Sequence, residues 1–97
     1  MVDARRERLR DYLRRDEDGM RKELLALFLD GGTHTTDEVT GHLQKRKFKA
    51  GHREVCASLG LLRSRMGVLG VKTRGRKGVY FIKEGHREMV KAVLENF

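Results

Sequence analysis

The chain has 97 residues, of which 37% are charged and 38% apolar, with a net charge of +8, one cysteine and no proline. That length predicts one domain over residues 1–97 with a modest core, and it leaves no room for a two-lobed enzyme cleft. Cys56 as the lone cysteine excludes an internal disulfide, the longest apolar run (residues 24–29) is far too short for a membrane span, and the charged start has no apolar region behind it, so a cytoplasmic protein is expected.

Residues 3–15 read as a helix that Asp3 can cap, with Leu9, Tyr12 and Leu13 as a narrow apolar stripe. "DEDG" at 16–19 weakens it, and Asp18 can cap a second helix from 19 to about 29 with Met20, Leu24, Leu27 and Phe28 inward. Because the two stripes stay in phase, one long helix with a soft spot at Gly19 is the alternative. Gly31 and Gly32 end the segment. Residues 33–35 read as a very short strand. Thr35 and Glu38 then form a T-x-x-E capping box for a helix that carries Val39 and Leu43 inward to about residue 47. A tight connection follows, and a further helix over 51–66 places Val55, Leu59, Leu62 and Met66 on one face, with Gly67 at its end. The period then changes to two: "LGVKTR" and "VYFIK", separated by "GRKG", predict a β-hairpin whose chain reversal uses Gly75 and Gly78. Residues 84–96 form a last amphipathic helix with Met89, Val90, Val93, Leu94 and Phe97 along its apolar side.

The positive charge is segregated. Residues 44–83 hold twelve Lys and Arg against Glu54 alone, whereas residues 1–30 hold eight cations and eight acids. Such a stretch is the electrostatic footprint of a polyanion binder. A solvated basic face is the competing reading, but an ordinary soluble surface mixes signs.

The order is helix, helix, short strand, helix, helix, strand, strand, helix. With "THTTDEVTGHLQKRK", "KAGHREVCASLGLLRSRMG" and "VLGVKTRGRKGVYFIK" in those places, residues 19–83 resemble the winged helix-turn-helix superfamily of DNA-binding proteins. The chain is also similar to small uncharacterised archaeal proteins of this type. The fold class is therefore expected to be α+β, mainly α: a winged-helix core over 19–83 with an N-terminal helix extension (1–18) and a C-terminal helix (84–97). The resemblance implies a nucleoid-associated regulator of transcription. Its helix 51–66 enters the major groove of double-stranded DNA, and its wing 69–83 lies on the backbone.

The face of helix 51–66 opposite the core holds Arg53, Ala57, Gly60 and Ser64, flanked by Leu61 and Ala50. Small side chains let a helix backbone sink into a groove, and an Arg near the helix start can pair with guanine. The resemblance implies the same role for Arg53 and adds His52 and Ala57. Close helix–helix packing is the competing use of such a face. Lys45, Arg46, Lys47 and Lys49 at the turn, Arg63 and Arg65 at the far end, and Lys72, Arg74, Arg76 and Lys77 on the wing are the phosphate candidates. RNA binding and a pure protein-interaction module are the alternatives. Tyr80 and Phe81 read as sheet residues, since aromatics total only 6%. "GRKG" matches the G-x-x-G loop of KH domains, but that loop joins helices.

No metal or cofactor is expected. His52 and Cys56 make only two ligands, and His34, His42 and His86 lack zinc-like spacing. No nucleophile–base–orienter set marks an enzyme. Winged-helix regulators are often dimers through outer helices. Leu9, Tyr12, Leu13, Met89, Val93 and Phe97 are accordingly the candidates for a homodimer surface, with an intramolecular core as the competing reading.

Overall fold

The computed structural model describes residues 4–16 and 18–97. Among these it contains five helices and a two-stranded antiparallel sheet: α1 (Ala4–Arg14), α2 (Met20–Phe28), α3 (Thr36–Lys45), α4 (His52–Ser64), β1 (Leu69–Arg74), β2 (Lys77–Ile82) and α5 (Arg87–Glu95). The class is α+β and mainly helical, in an order consistent with a winged-helix-like arrangement. None of the described helices is long and apolar enough to cross a membrane. Asp3, expected to cap α1, lies outside the described residues.

α1 and α2 are separate helices, which decides against one continuous helix. Gly19 adopts a left-handed conformation at φ 87, which breaks the helical path. The carboxylate of Asp16 then accepts the N–H groups of Arg21 and Lys22, both at 3.1 Å, and Asp18 accepts that of Met20 at 3.1 Å. The orphan donors at the start of α2 are thereby satisfied by two acids, of which Asp18 alone was the sequence-based candidate. α2 ends at Phe28, and Gly31 at φ 81 then turns the chain out.

The short strand expected at 33–35 is a single bridge. His34 N–H donates to Tyr80 O at 3.0 Å and Tyr80 N–H to His34 O at 2.8 Å. This ties β2 to the entry of α3. The capping box is complete there: Thr35 Oγ1 accepts Glu38 N–H at 3.1 Å and Glu38 Oε1 accepts Thr35 N–H at 2.9 Å.

α3 closes in a Schellman turn. Phe48 N–H returns to Leu43 O and Lys47 N–H to Gln44 O, each at 3.0 Å. The left-handed position, usually glycine, is Lys47 at φ 67. Ala50, expected beside the outer face of α4, is buried in the core. α4 ends two residues earlier than its periodicity predicts. Gly67 at φ 65 then redirects the chain, and Val68 N–H reaches Leu62 O at 3.0 Å.

In the hairpin, Arg74 pairs with Lys77, so the turn is Gly75 and Arg76 alone. Only Gly75 has positive φ, 66, as in a II′ turn. Gly78, expected to share the reversal, lies inside β2 opposite Thr73.

The core joins every helix. α5 packs on α1 and α2, and this corrects the expected dimer surface. Leu9 is 0%, Tyr12 3%, Leu13 3% and Val93 1% exposed. Their stripe is consumed within the chain, because α1 and α5 cover each other. Met89 is half-buried against the same core, and Phe97 alone of the six is exposed.

Candidate nucleic-acid interface

α4 is anchored by Val55, Ser58, Leu59 and Leu62, all buried. Its opposite side presents Arg53, Ala57 and Ser64 to solvent, with Gly60 partly exposed between them. A Cβ built at Gly60 meets nothing within 4 Å. The small-residue face is therefore not packed against any described part of the chain, so intramolecular helix packing does not account for it. Ser64 Oγ donates back to Gly60 O at 2.7 Å, which leaves its lone pairs outward.

One flank of α4 looks towards α3 and the hairpin. His52 Nε2 lies 3.3 Å from Asp37 Oδ1, and Cys56 Sγ lies 3.7 Å from His52 Nδ1. A cleft of about 240 Å³ is lined there by Thr35, Thr36, Asp37, His52, Lys77 and Gly78. The imidazole expected to reach bases thus lies beside a carboxylate at the edge of the face. No group of three or more His, Cys, Asp or Glu among the described residues is arranged to hold a metal ion.

The expected phosphate contacts fall into two sets. Some are engaged internally. Arg74 Nη2 meets Glu38 Oε1 at 2.7 Å, and Arg46 Nε meets Glu23 Oε1 at 3.3 Å beside His42. Lys72 sits over the Phe81 ring at 5.3 Å; Lys49 makes no ion pair among the described residues but lines a cleft with Asp16, Asp18 and Glu54. Lys45, Lys47, Arg63, Arg65, Arg76 and Lys77 have no ion-pair partner among the described residues, nor does Arg53. The Thr35 N–H and then the Arg74 guanidinium hold the Glu38 carboxyl below its ordinary value of 4.5. The hairpin is thereby fastened to α3 by a charged pair, and its tip cations are left free.

The other flank of α4 looks towards α1, and here sequence reasoning missed residues. Arg8, Arg15 and Arg21 gather beside Arg65. The cancelling charges of residues 1–30 hid them. The signal was the spacing: Glu7 pairs with Arg10 at 3.1 Å and Asp11 with Arg14 at 2.8 Å. Arg8 and Arg15, seven apart, are left on the Tyr12 side of the helix.

Residues 9–90 match the model of a family described as "Protein of unknown function (DUF2551)". A protein of Archaeoglobus fulgidus described as "Uncharacterized protein" is 38% identical over 90 residues, which is 93% of this chain and 92% of the relative. No solved structure matches the chain.

Proposed function

We propose that this chain, which belongs to the DUF2551 family of proteins of unknown function, is a winged helix-turn-helix protein that binds double-stranded DNA and regulates transcription. One observation carries the reading. The outer face of α4 is open, built of small residues, and bordered by cations that have no ion-pair partner among the described residues. The DNA major groove is about 12 Å wide and admits an α-helix. On this reading α4 enters it, Arg53 on the first turn reaches base edges, and Ala57, Gly60 and Ser64 allow close approach. Lys45, Lys47 and Arg63 meet phosphates beside the groove. The β1–β2 hairpin acts as the wing, with Arg76 and Lys77 at its tip on the adjacent backbone. His52 is assigned a supporting place, because its ring nitrogen lies 3.3 Å from Asp37 at the edge of the face.

The deep, narrow major groove of duplex RNA does not admit such a helix. Competition between duplex DNA and duplex RNA of the same sequence therefore tests the reading, with DNA expected to win. Arg53→Ala should reduce discrimination between sequences by about 1–3 kcal/mol, the worth of a bidentate base contact. Arg76→Ala with Lys77→Ala should weaken all sequences alike. Stronger competition by RNA, or sequence discrimination that survives Arg53→Ala, contradicts the assignment.

A further inference from the structure

We infer that the groove between α1 and α4 is a binding site for a small organic anion, an apolar body bearing a carboxylate or phosphate, and that its occupation opposes DNA binding. The second clause rests on the DNA reading above; the first does not.

The groove has a volume of about 230 Å³. Four guanidinium groups surround it: Arg8 and Arg15 from α1, Arg21 from α2 and Arg65 at the end of α4. The one carboxylate among its lining residues is Asp11, which also pairs with Arg14 at 2.8 Å. Among the described residues, Arg8 donates to the Arg65 carbonyl, at 3.4 Å, and Arg21 to the Tyr12 carbonyl, at 2.8 Å. Neither carbonyl neutralises a charge; Arg15 and Arg21 also line the neighbouring cleft that holds Asp16, Asp18 and Glu54, whereas Arg8 and Arg65 do not. Like charges gathered this way repel unless water or an anion compensates them. Guanidinium forks match carboxylate and phosphate bidentately.

The groove also has an apolar side where Leu61 is exposed, which an ordinary phosphate-facing surface does not need. Tyr12 and Met66 are buried in it, and Leu61, 37% exposed, opens onto it. The Arg21 guanidinium stacks 4.5 Å above the Tyr12 ring and fixes one edge. A DNA phosphate brings no apolar body to set against Leu61. The volume is below the roughly 300–1,000 Å³ of sites for drug-sized ligands, so the occupant is a single ring or a short chain. Leu61 and Arg65 both follow the α4 backbone. An anion held there takes up the Arg65 charge and adds negative charge beside α4. The coupling is reciprocal: DNA must expel the anion as the anion expels DNA.

The test uses the ¹⁵N-labelled full chain without DNA, titrated with phenyl phosphate at fixed ionic strength. Inorganic phosphate and benzyl alcohol serve as the charged and apolar halves. Saturable amide shifts are expected at residues 8–15 and 61–66, with phenyl phosphate at least tenfold tighter than either half. Arg15→Ala with Arg65→Ala should weaken it at least tenfold while the rest of the spectrum is preserved, and Arg53→Ala should not change it. Shifts centred on Lys45, Lys47, Arg76 and Lys77, equal affinity for inorganic phosphate, or no saturable response overturn the site. In a second arm, saturating phenyl phosphate should weaken duplex DNA binding at least threefold beyond inorganic phosphate. An unchanged duplex affinity overturns the antagonism. Saturable amide shifts together with no duplex binding at low salt would leave the anion site standing and remove the DNA reading instead.

Discussion

Gly60 separates what the fold needs from what a partner needs. Glycine inside a helix costs about 1 kcal/mol relative to alanine, and a Cβ at Gly60 would touch nothing within 4 Å. Gly60→Ala should therefore stabilise the isolated chain by about 0.5–1 kcal/mol. At roughly 4–8 °C per kcal/mol for a domain of this size, Tm should rise by about 2–8 °C. Gly60→Glu should also fold, since Glu is the better helix former. It places a carboxylate where the DNA backbone is proposed to lie. At about 7 Å and an effective dielectric of about 40–80, each phosphate repels it by roughly 0.6–1.2 kcal/mol. Two phosphates then suffice for a roughly seven- to fiftyfold loss of affinity. Calorimetry gives the first quantity, and fluorescence anisotropy on a labelled duplex gives the second. A lower Tm for Gly60→Ala would mean that something already packs on this face. Unchanged duplex affinity for Gly60→Glu would mean that α4 does not face DNA.

Lys47 holds a left-handed φ of 67 where glycine is the usual residue. Lys47→Gly should thus raise stability by about 0.5–1 kcal/mol in urea unfolding while removing one phosphate contact; unaltered binding would assign the lysine no role at the interface. Leu9→Ala, at a fully buried position, should cost about 2–5 kcal/mol without changing the mass seen in sedimentation. A change of oligomeric state in place of that loss would restore the dimer-surface reading of α1. Glu38 has its pKa lowered by the Thr35 N–H and by Arg74, so its stabilising contribution is present above the ordinary 4.5 and is lost as pH falls through the lowered value. Glu38→Gln keeps a capping side chain and should flatten the fall of Tm as pH drops below the ordinary carboxyl value of 4.5; an equally steep fall would place the acid sensitivity elsewhere.

What the sequence made legible was local chemistry. The capping box at Thr35 and Glu38 lies within four residues, and its residue types can do little else there. The burial of Val55, Leu59 and Leu62 follows from helical period alone, and so does the outward set around Gly60. The hairpin was legible from β-branched runs around a Gly-containing turn, but its register was not. Gly75 and Gly78 both permit reversal, and only the pairing of Arg74 with Lys77 shows which one is used.

Long-range choices were illegible for a physical reason. The stripe of Leu9, Tyr12 and Leu13 has the same pattern whether a neighbouring helix or a second subunit covers it. The docking of α5 decides the matter, and no local signal encodes it. Charge counting also fails across distance. Arg74 and Arg46 looked as free as Lys45 and Arg76, yet Glu38, thirty-six residues from Arg74, and Glu23 take up their charges. The arginine groove between α1 and α4 was hidden in the same way, by a segment whose charges cancel along the chain but not in space.

The central claim is that the cations left free around α4 hold DNA phosphates. Five or six such contacts predict that log K falls with log salt at a slope of about −4.5 to −5.4, or roughly 500- to 2,000-fold between 50 and 200 mM salt. A salt titration of duplex binding that gives this slope, reduced by about 1.8 in the Arg76→Ala/Lys77→Ala variant, is the result the account predicts. A slope near zero, or no duplex binding at low salt, contradicts it.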